Sequence, residues 1–312
     1  MPAYRIERSI ELSVPPSEVF KVVSDFSTWT AWSPWLIAEP DAEVRLTGTP
    51  RAVGSGYAWT GDVTGAGKME LRRVEPDRHL DIELQFLKPF KSIADVAFDL
   101  SPSPAGTQLT WSMGGKMPWF MFWMIPIIKT FLGMDYHRGL LMLKDWIETG
   151  AIESKVTPRD LASVGPLRMV GVRTSSHVEA VGAAAQPAME RCQQLFEQHG
   201  LPRDGDAIAV YHRMDVKRGT FEFTIGHVVP ESASLPAGVG LHEWRLPAVR
   251  AFHVEHVGAY RHLGNGWSVA NQLTRHRKLK QSNAGAFEVY RNSPKDTASA
   301  ALKVDIYLPL KG

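Results

Sequence analysis

The polar and apolar positions along this chain divide it into two halves with different rhythms. Tyr4 to Val14 alternates apolar and polar residues, the two-residue period of a half-buried strand. Pro15-Pro16-Ser17 then opens a helix carrying Glu18, Val19, Phe20, Val22 and Val23. From Ala42 to Met113, short apolar runs are punctuated by turn residues at Gly48, Gly54-Ser55-Gly56, Gly65-Ala66-Gly67, Glu75-Pro76-Asp77 and Ser101 to Gly106. That pattern predicts a meander of strands. Leu140, Leu141, Leu143, Trp146 and Ile147 form a helical stripe within a closing helix from about Phe131 to Thr149. An early helix, a long antiparallel meander and a closing helix make an α+β layout.

The second half repeats itself. Ala207-Ile208-Ala209-Val210-Tyr211 is echoed 79 residues later by Ala286-Phe287-Glu288-Val289-Tyr290. A strand (Met169 to Thr174; Val249 to His256) and a helix (about Ala183 to His199; about Trp267 to Lys280) precede each copy. A further strand follows each (Phe221 to Val229; Lys303 to Leu310). Two strand-helix-strand-strand units predict a pseudo-twofold domain with a groove between its halves. Residues 151–165, rich in turn formers and without sustained periodicity, are expected to link a domain over 1–150 to one over 166–312.

Composition adds limits. With 44% hydrophobic and 22% charged residues, the chain reads as an ordinary soluble globular protein. Residues 1–150 hold 15 basic and 18 acidic residues; residues 151–312 hold 20 and 15. The basic excess gathers at Arg275-His276-Arg277-Lys278, where a helix C-terminus favours cations. Without a helix-turn-helix, zinc pattern or aromatic-basic sheet, direct nucleic-acid binding is not expected. A single cysteine, Cys192, excludes an intrachain disulfide, fits a reducing compartment and reads as buried and inert. Met1 to Val14 carries charges and no signal-like apolar core, so a cytoplasmic protein is expected. Met117 to Met134 is strongly apolar but broken by Pro118, Pro126 and Lys129. It is too interrupted to span a membrane and reads as a lid or pocket wall, with membrane-surface contact as the alternative.

The candidate chemistry sits near the end of the chain. Strand alternation puts Glu288 with Tyr290 on one face, and Asp305 with Tyr307 on one face. A carboxylate in so apolar a strand is costly to bury unless compensated. A cationic or hydroxyl-bearing ligand against an aromatic wall would compensate it. The repeat adds Tyr211 to that wall and gives Glu288 a small counterpart, Ala209, as an asymmetric site requires. Trp267 follows Gly264-Asn265-Gly266 at a helix start, a place for it to cap the pocket or to anchor the helix; Glu222, on the strand equivalent to that of Asp305, is a secondary candidate. His253 and His256 face opposite sides of a strand, and no His-x-x-x-His pair occurs, so neither metal nor cofactor is expected. Gly-x-Ser-x-Gly is absent, and Gly61 to Gly67 lacks the Gly-Lys-Ser/Thr ending of a phosphate loop. Eight of the ten tryptophans lie in the first half, as a cavity lining or as a large core.

Two families resemble these halves. Val14-Pro15-Pro16-Ser17-Glu18-Val19-Phe20, Trp29-x-x-Trp32-Ser33-Pro34-Trp35, Gly54-Ser55-Gly56-Tyr57-x-Trp59 and Gly139-Leu140-x-x-Leu143-Lys144 resemble the SRPBCC, or START-like, superfamily. The resemblance implies a helix-grip fold, a curved antiparallel sheet around the long closing helix, with a deep apolar cavity. Such domains bind lipids, hormones or polyketides, and a few catalyse cyclisation. The Glu288-x-Tyr290 strand and the ending Asp305-Ile306-Tyr307-x-Pro309 resemble GyrI-like (AraC-type) effector-binding domains, with Asp305 where many relatives carry Glu. That resemblance implies a ligand groove faced by Glu288. Together they imply a small-molecule-binding protein that senses or sequesters hydrophobic ligands, cations among them. The alternative they imply is a hydrolase or cyclase acting on a reactive small molecule, with Glu288 as acid/base paired with Tyr307 or Trp267.

Overall fold

The computed structural model describes residues 2–312 and separates them into two compact units, one ending at Ile152 and the other starting at Glu153.

The first unit begins with β1 (Ala3–Leu12), α1 (Pro16–Val23) and a single-turn α2 (Trp29–Trp32). The meander follows as β2 (Glu43–Thr47), β3 (Gly56–Thr60), β4 (Ala66–Glu75), β5 (His79–Lys88), β6 (Ser92–Ser103) and β7 (Gly106–Lys116). The sheet order β1-β7-β6-β5-β4-β3-β2 is that of a meander whose first strand returns beside its last. A 3₁₀ turn over Trp119–Met124 leads into α3 (Ile125–Thr149), which packs on the sheet beside β1. Pro126 lies in the first turn of α3, where its missing N–H costs nothing, so the helix starts earlier than the apolar stripe suggests.

Six of the eight first-half tryptophans belong to the core: Trp29, Trp32 and Trp111 lie within it, and Trp35, Trp59 and Trp146 pack against it. Trp29, Trp32 and Trp111 are all but fully buried. Trp111 stacks between Phe98, with ring centres 5.1 Å apart, and Tyr136 of α3, at 4.1 Å. Arg138 ties α3 to the Trp32-Ser33-Pro34-Trp35 segment, donating to the Pro34 carbonyl (3.3 Å) and to Asp135 (2.6 Å). Of the segment expected to be a lid or pocket wall, Met117 and Gly133 are buried and Leu132 packs on the core, but no residue of Trp119–Met124 is buried and Trp119 is 76% exposed.

The second unit runs β8 (Ser154–Val164), β9 (Leu167–His177), α4 (Val181–Gln198), β10 (Ala207–Asp215), β11 (Thr220–Val228), β12 (His242–Leu246), β13 (Val249–Gly258), α5 (Leu263–His276), β14 (Ala286–Tyr290) and β15 (Lys303–Pro309). Its sheet order, β12-β9-β11-β10-β14-β15-β13-β8, reads the same from either edge once the repeats are superposed. The two copies of the repeat meet at the centre, where β10 and β14 pair antiparallel. Both helices pack on this sheet, α4 against β9 and β11 and α5 against β13, β8 and β15.

The expected linker is mostly strand. Ser154–Val164 is β8, paired with β13 from Ser154 opposite Gly258 to Val164 opposite Val249. None of its residues is buried, because it is an edge strand, and Pro158 sits beside its bulge. It also anchors α5: Ser154 Oγ accepts from Asn265 Nδ2 (3.0 Å) and bonds His256 Nε2 (3.2 Å). Burial, then the neighbouring His262, push His256 down to about 4, so it is neutral at physiological pH. A histidine depressed in the fold contributes stability above its unfolded value of about 6.5, lost as pH falls toward the folded value. Thermal unfolding of His256→Gln should therefore fall less steeply than that of wild type between about pH 6.5 and 4, by up to about 3 kcal/mol.

Candidate functional site

The central strand pair builds the site. Glu288 and Ala209 are direct cross-strand partners, so the two positions related by the repeat are also neighbours. Tyr211 lies opposite Ala286 and Tyr290 opposite Ala207. Residues 209, 211, 286, 288 and 290 thus share one face. It is the helix face: Ala209, Phe223, Ile225 and Ala188 of α4 cluster there, with Tyr211 and Tyr290 packed against them.

Three donors converge on one carboxylate. Tyr290 Oη donates to Glu288 Oε2 at 2.5 Å and Tyr211 Oη to Oε1 at 3.2 Å. Trp267 Nε1, from the first turns of α5, also donates to Oε1. Gly266 lets α5 come close enough for this, since a Cβ there would lie 2.6 Å from Ile306 Cδ1. The rings interlock. Trp267 meets Tyr211 edge-on at 4.9 Å, and Phe223 stacks on Tyr211 at 5.7 Å. Glu288 is 1% exposed, while Tyr211, Tyr290 and Trp267 around it are only partly buried. Aromatic rings therefore form a surface layer with a carboxylate beneath.

The electrostatics are opposed by design. Burial raises the Glu288 carboxyl above the ordinary glutamate range, against the lowering effect of bonds from Tyr290, Trp267 and Tyr211. Burial beside this acid also drives the Tyr211 and Tyr290 phenols far above their usual range, so both remain donors. Each hydrogen bond to a charged group returns about 1.5–3 kcal/mol, against a desolvation cost of several kcal/mol per buried ion. Among the described residues, no cationic side chain contributes to the balance at Glu288.

Tyr260 belongs to this cluster and has no signature in the repeat. It lies in the 3₁₀ turn Tyr260–His262 ahead of α5, its ring edge-on to Tyr290 at 5.5 Å. Burial, then the Glu288 charge, push its phenol up to about 12. An aromatic at a turn entering the helix that carries Trp267 was the only available signal.

Asp305, Tyr307 and Glu222 lie elsewhere. Val289, not Glu288, is the cross-strand partner of Asp305, and Phe287 that of Tyr307. Both residues therefore occupy the face opposite Glu288, so Tyr307 does not pair with it. There Asp305 is held by Arg291 Nε (2.6 Å) and His253 Nε2 (2.9 Å), and Tyr307 stacks on His253 at 4.5 Å. Burial raises the Asp305 carboxyl, but the His253 and Arg291 bonds outweigh it and hold it below the usual range. Glu222 lies between Phe221 and Phe223 on β11, faces away from them, and pairs with Arg173. These acids already have cationic partners, Arg291 and Arg173.

Comparisons with known proteins agree with this architecture. Residues 3–148 match the family described as polyketide cyclase / dehydrase and lipid transport, and residues 162–311 match the GyrI-like small molecule binding domain. No curated protein matches the chain. Among solved structures, a Mesorhizobium loti protein is 19% identical, covers 48% of this chain and all of its own, and superposes with a TM-score of 0.36. The Aha1 dimer of Colwellia psychrerythraea is 15% identical over 47% of this chain and 98% of its own, with a TM-score of 0.34. EcmrR in a DNA complex is 15% identical over 58% of this chain and 66% of its own, with a TM-score of 0.42.

Proposed function

We propose that this chain, whose residues 3–148 match a polyketide cyclase / dehydrase and lipid transport family and whose residues 162–311 match a GyrI-like small molecule binding domain, is a ligand-binding protein. We propose that the second unit captures flat hydrophobic cations over Glu288, for sensing or sequestration. The observation that carries this is a buried carboxylate satisfied only by neutral donors beneath a layer of aromatic rings. A cation that displaces or tilts the Trp267 ring would meet a full countercharge in a site of low dielectric and aromatic faces on its flanks.

The test compares 1-methylquinolinium with its neutral isostere 1-methylnaphthalene by calorimetric titration. The cation should bind at least about 100-fold more tightly, from a desolvated charge pair and cation–π contact together. Equal affinities would refute a counterion role.

Proton linkage gives a second expected result. Free Glu288 has a raised pKa, and a bound cation lowers it again by favouring the ionised form. Binding of 1-methylquinolinium should release protons at pH values between the bound and the free pKa. Its affinity should climb as pH rises through that window and level off above the free value. Titrations in buffers of different ionisation enthalpy measure the release. A pH-independent affinity without proton release would contradict the reading.

The same raised pKa supports hydrolysis of a reactive small molecule as a second reading, with Glu288 as general acid or base beside Trp267. Turnover of an electrophile that Glu288→Gln abolishes, with binding kept, would establish it.

A further inference from the structure

The first unit carries an exposed apolar surface that its sheet and core do not use. Leu87, Phe90 and Ile93 project from the β5–β6 hairpin tip, Phe90 being 80% exposed. Trp119, Phe120, Phe122, Trp123 and Phe131 line the 3₁₀ turn and the start of α3, all exposed. These are eight of the eleven exposed large apolar side chains among the described residues. The strand register brings them to one end of the sheet. Ala94 pairs with Gly115, so the hairpin tip and the chain leaving β7 toward Trp119 emerge side by side. Scattered exposed apolar residues need no explanation, but a contiguous cluster does.

Within the two segments the charge has a single sign, with Asp95 and Asp135 just beyond their ends. Residues 86–94 contain Lys88 and Lys91, residues 114–134 contain Lys116 and Lys129, and neither stretch contains an acid. All four lysines are exposed, and among the described residues none takes part in an ion pair. The surrounding domain is net acidic, with 15 basic and 18 acidic residues over 1–150, so this end reverses the sign of its own unit. Among the described residues no helix is long and apolar enough to cross a membrane. Tryptophan and phenylalanine exposed on a short helix, ringed by lysines, match the chemistry of an interface in which rings enter the headgroup region and cations meet lipid phosphates.

We infer that this end of the first unit docks on an anionic phospholipid membrane surface, with the Trp119–Trp123 turn and the Phe90 hairpin tip inserted. The surface is separate from the Glu288 site and does not depend on its ligand. Docking would let the protein meet hydrophobic molecules dissolved in the bilayer.

The test is flotation of the full-length protein with vesicles of equal parts phosphatidylglycerol and phosphatidylcholine, and with vesicles of phosphatidylcholine alone. Wild type should float with the anionic vesicles and far less with the neutral ones. Trp119→Ser/Trp123→Ser should lower partitioning by more than about tenfold. Lys88→Glu/Lys91→Glu should lower it by about fivefold or more per lysine, an effect erased by high salt. Unchanged circular dichroism and melting temperature would establish that both variants are folded, as expected for exposed positions. Failure of wild type to float, or equal flotation of both variants, would overturn the inference. So would self-association of wild type, lost in the tryptophan variant, without vesicle binding, since a second copy would then cover the surface.

Discussion

Glu288→Gln should weaken 1-methylquinolinium binding by about 100-fold while leaving 1-methylnaphthalene binding within about threefold. The lost charge pair sets that scale, near 3 kcal/mol. Glutamine has the same length: its carbonyl oxygen can still accept from the Trp267 indole and the Tyr211 hydroxyl, while its NH2 group takes the place of Oε2 and donates to Tyr290 Oη instead of accepting from it. The substitution therefore removes charge with little change of shape. Its effect on stability has a definite sign. A carboxyl raised in the fold costs stability as pH rises through its folded value, because the chain must then bury a charge that the unfolded state ionises freely. Glu288→Gln should leave the melting temperature unchanged in acid and raise it at neutral pH. Calorimetric affinity and a melting curve against pH check both halves of this expectation. A variant that binds the cation as wild type does would remove Glu288 from the site.

Ala209→Glu should destabilise the second unit by about 3–5 kcal/mol at neutral pH, the scale of an uncompensated buried charge. Ala209 is 1% exposed and directly opposite Glu288 across the pseudo-twofold centre. A symmetric pair would put two carboxylates together with no cation between them, and one would have to take up a proton. The fold has one acid at its symmetry centre for this reason, and both tyrosines related by the repeat, Tyr211 and Tyr290, turn to it. Ala209→Gln separates crowding from charge. Its cost should be independent of pH, whereas the excess cost of Ala209→Glu should vanish in acid. Equal unfolding midpoints for the two variants at neutral pH would show that steric fit, not charge, fixes the asymmetry.

Glu288, Tyr290 and Tyr211 were legible because a strand has period two and the repeat has a fixed offset, so face and partner follow from counting. The two-domain α+β architecture was legible for a similar reason, as a meander closed by a helix followed by an internal repeat. Asp305 and Tyr307 were misplaced because alternation fixes which residues of one strand share a face, but not how that strand registers with its neighbour. Twelve residues separate β14 from β15, and their path puts Val289 opposite Asp305. A shift by one residue exchanges the faces. β8 was hidden for another reason. An edge strand with no buried residue, a proline and a bulge has the composition of a linker, and only pairing with β13 reveals it. Met117 to Met134 read as a covering element because apolar residues are usually buried; its exposure depends on tertiary surroundings that no local pattern encodes.

The central claim is that the Glu288 carboxylate is the countercharge of a bound aromatic cation. A crystal structure of the protein with 1-methylquinolinium tests it most directly. The account predicts the quinolinium ring against Tyr211, Tyr290 and Tyr260, its charged nitrogen facing Glu288, and the Trp267 indole moved off Oε1 to admit it. A ligand bound elsewhere, with the Trp267–Glu288 hydrogen bond intact, would contradict it.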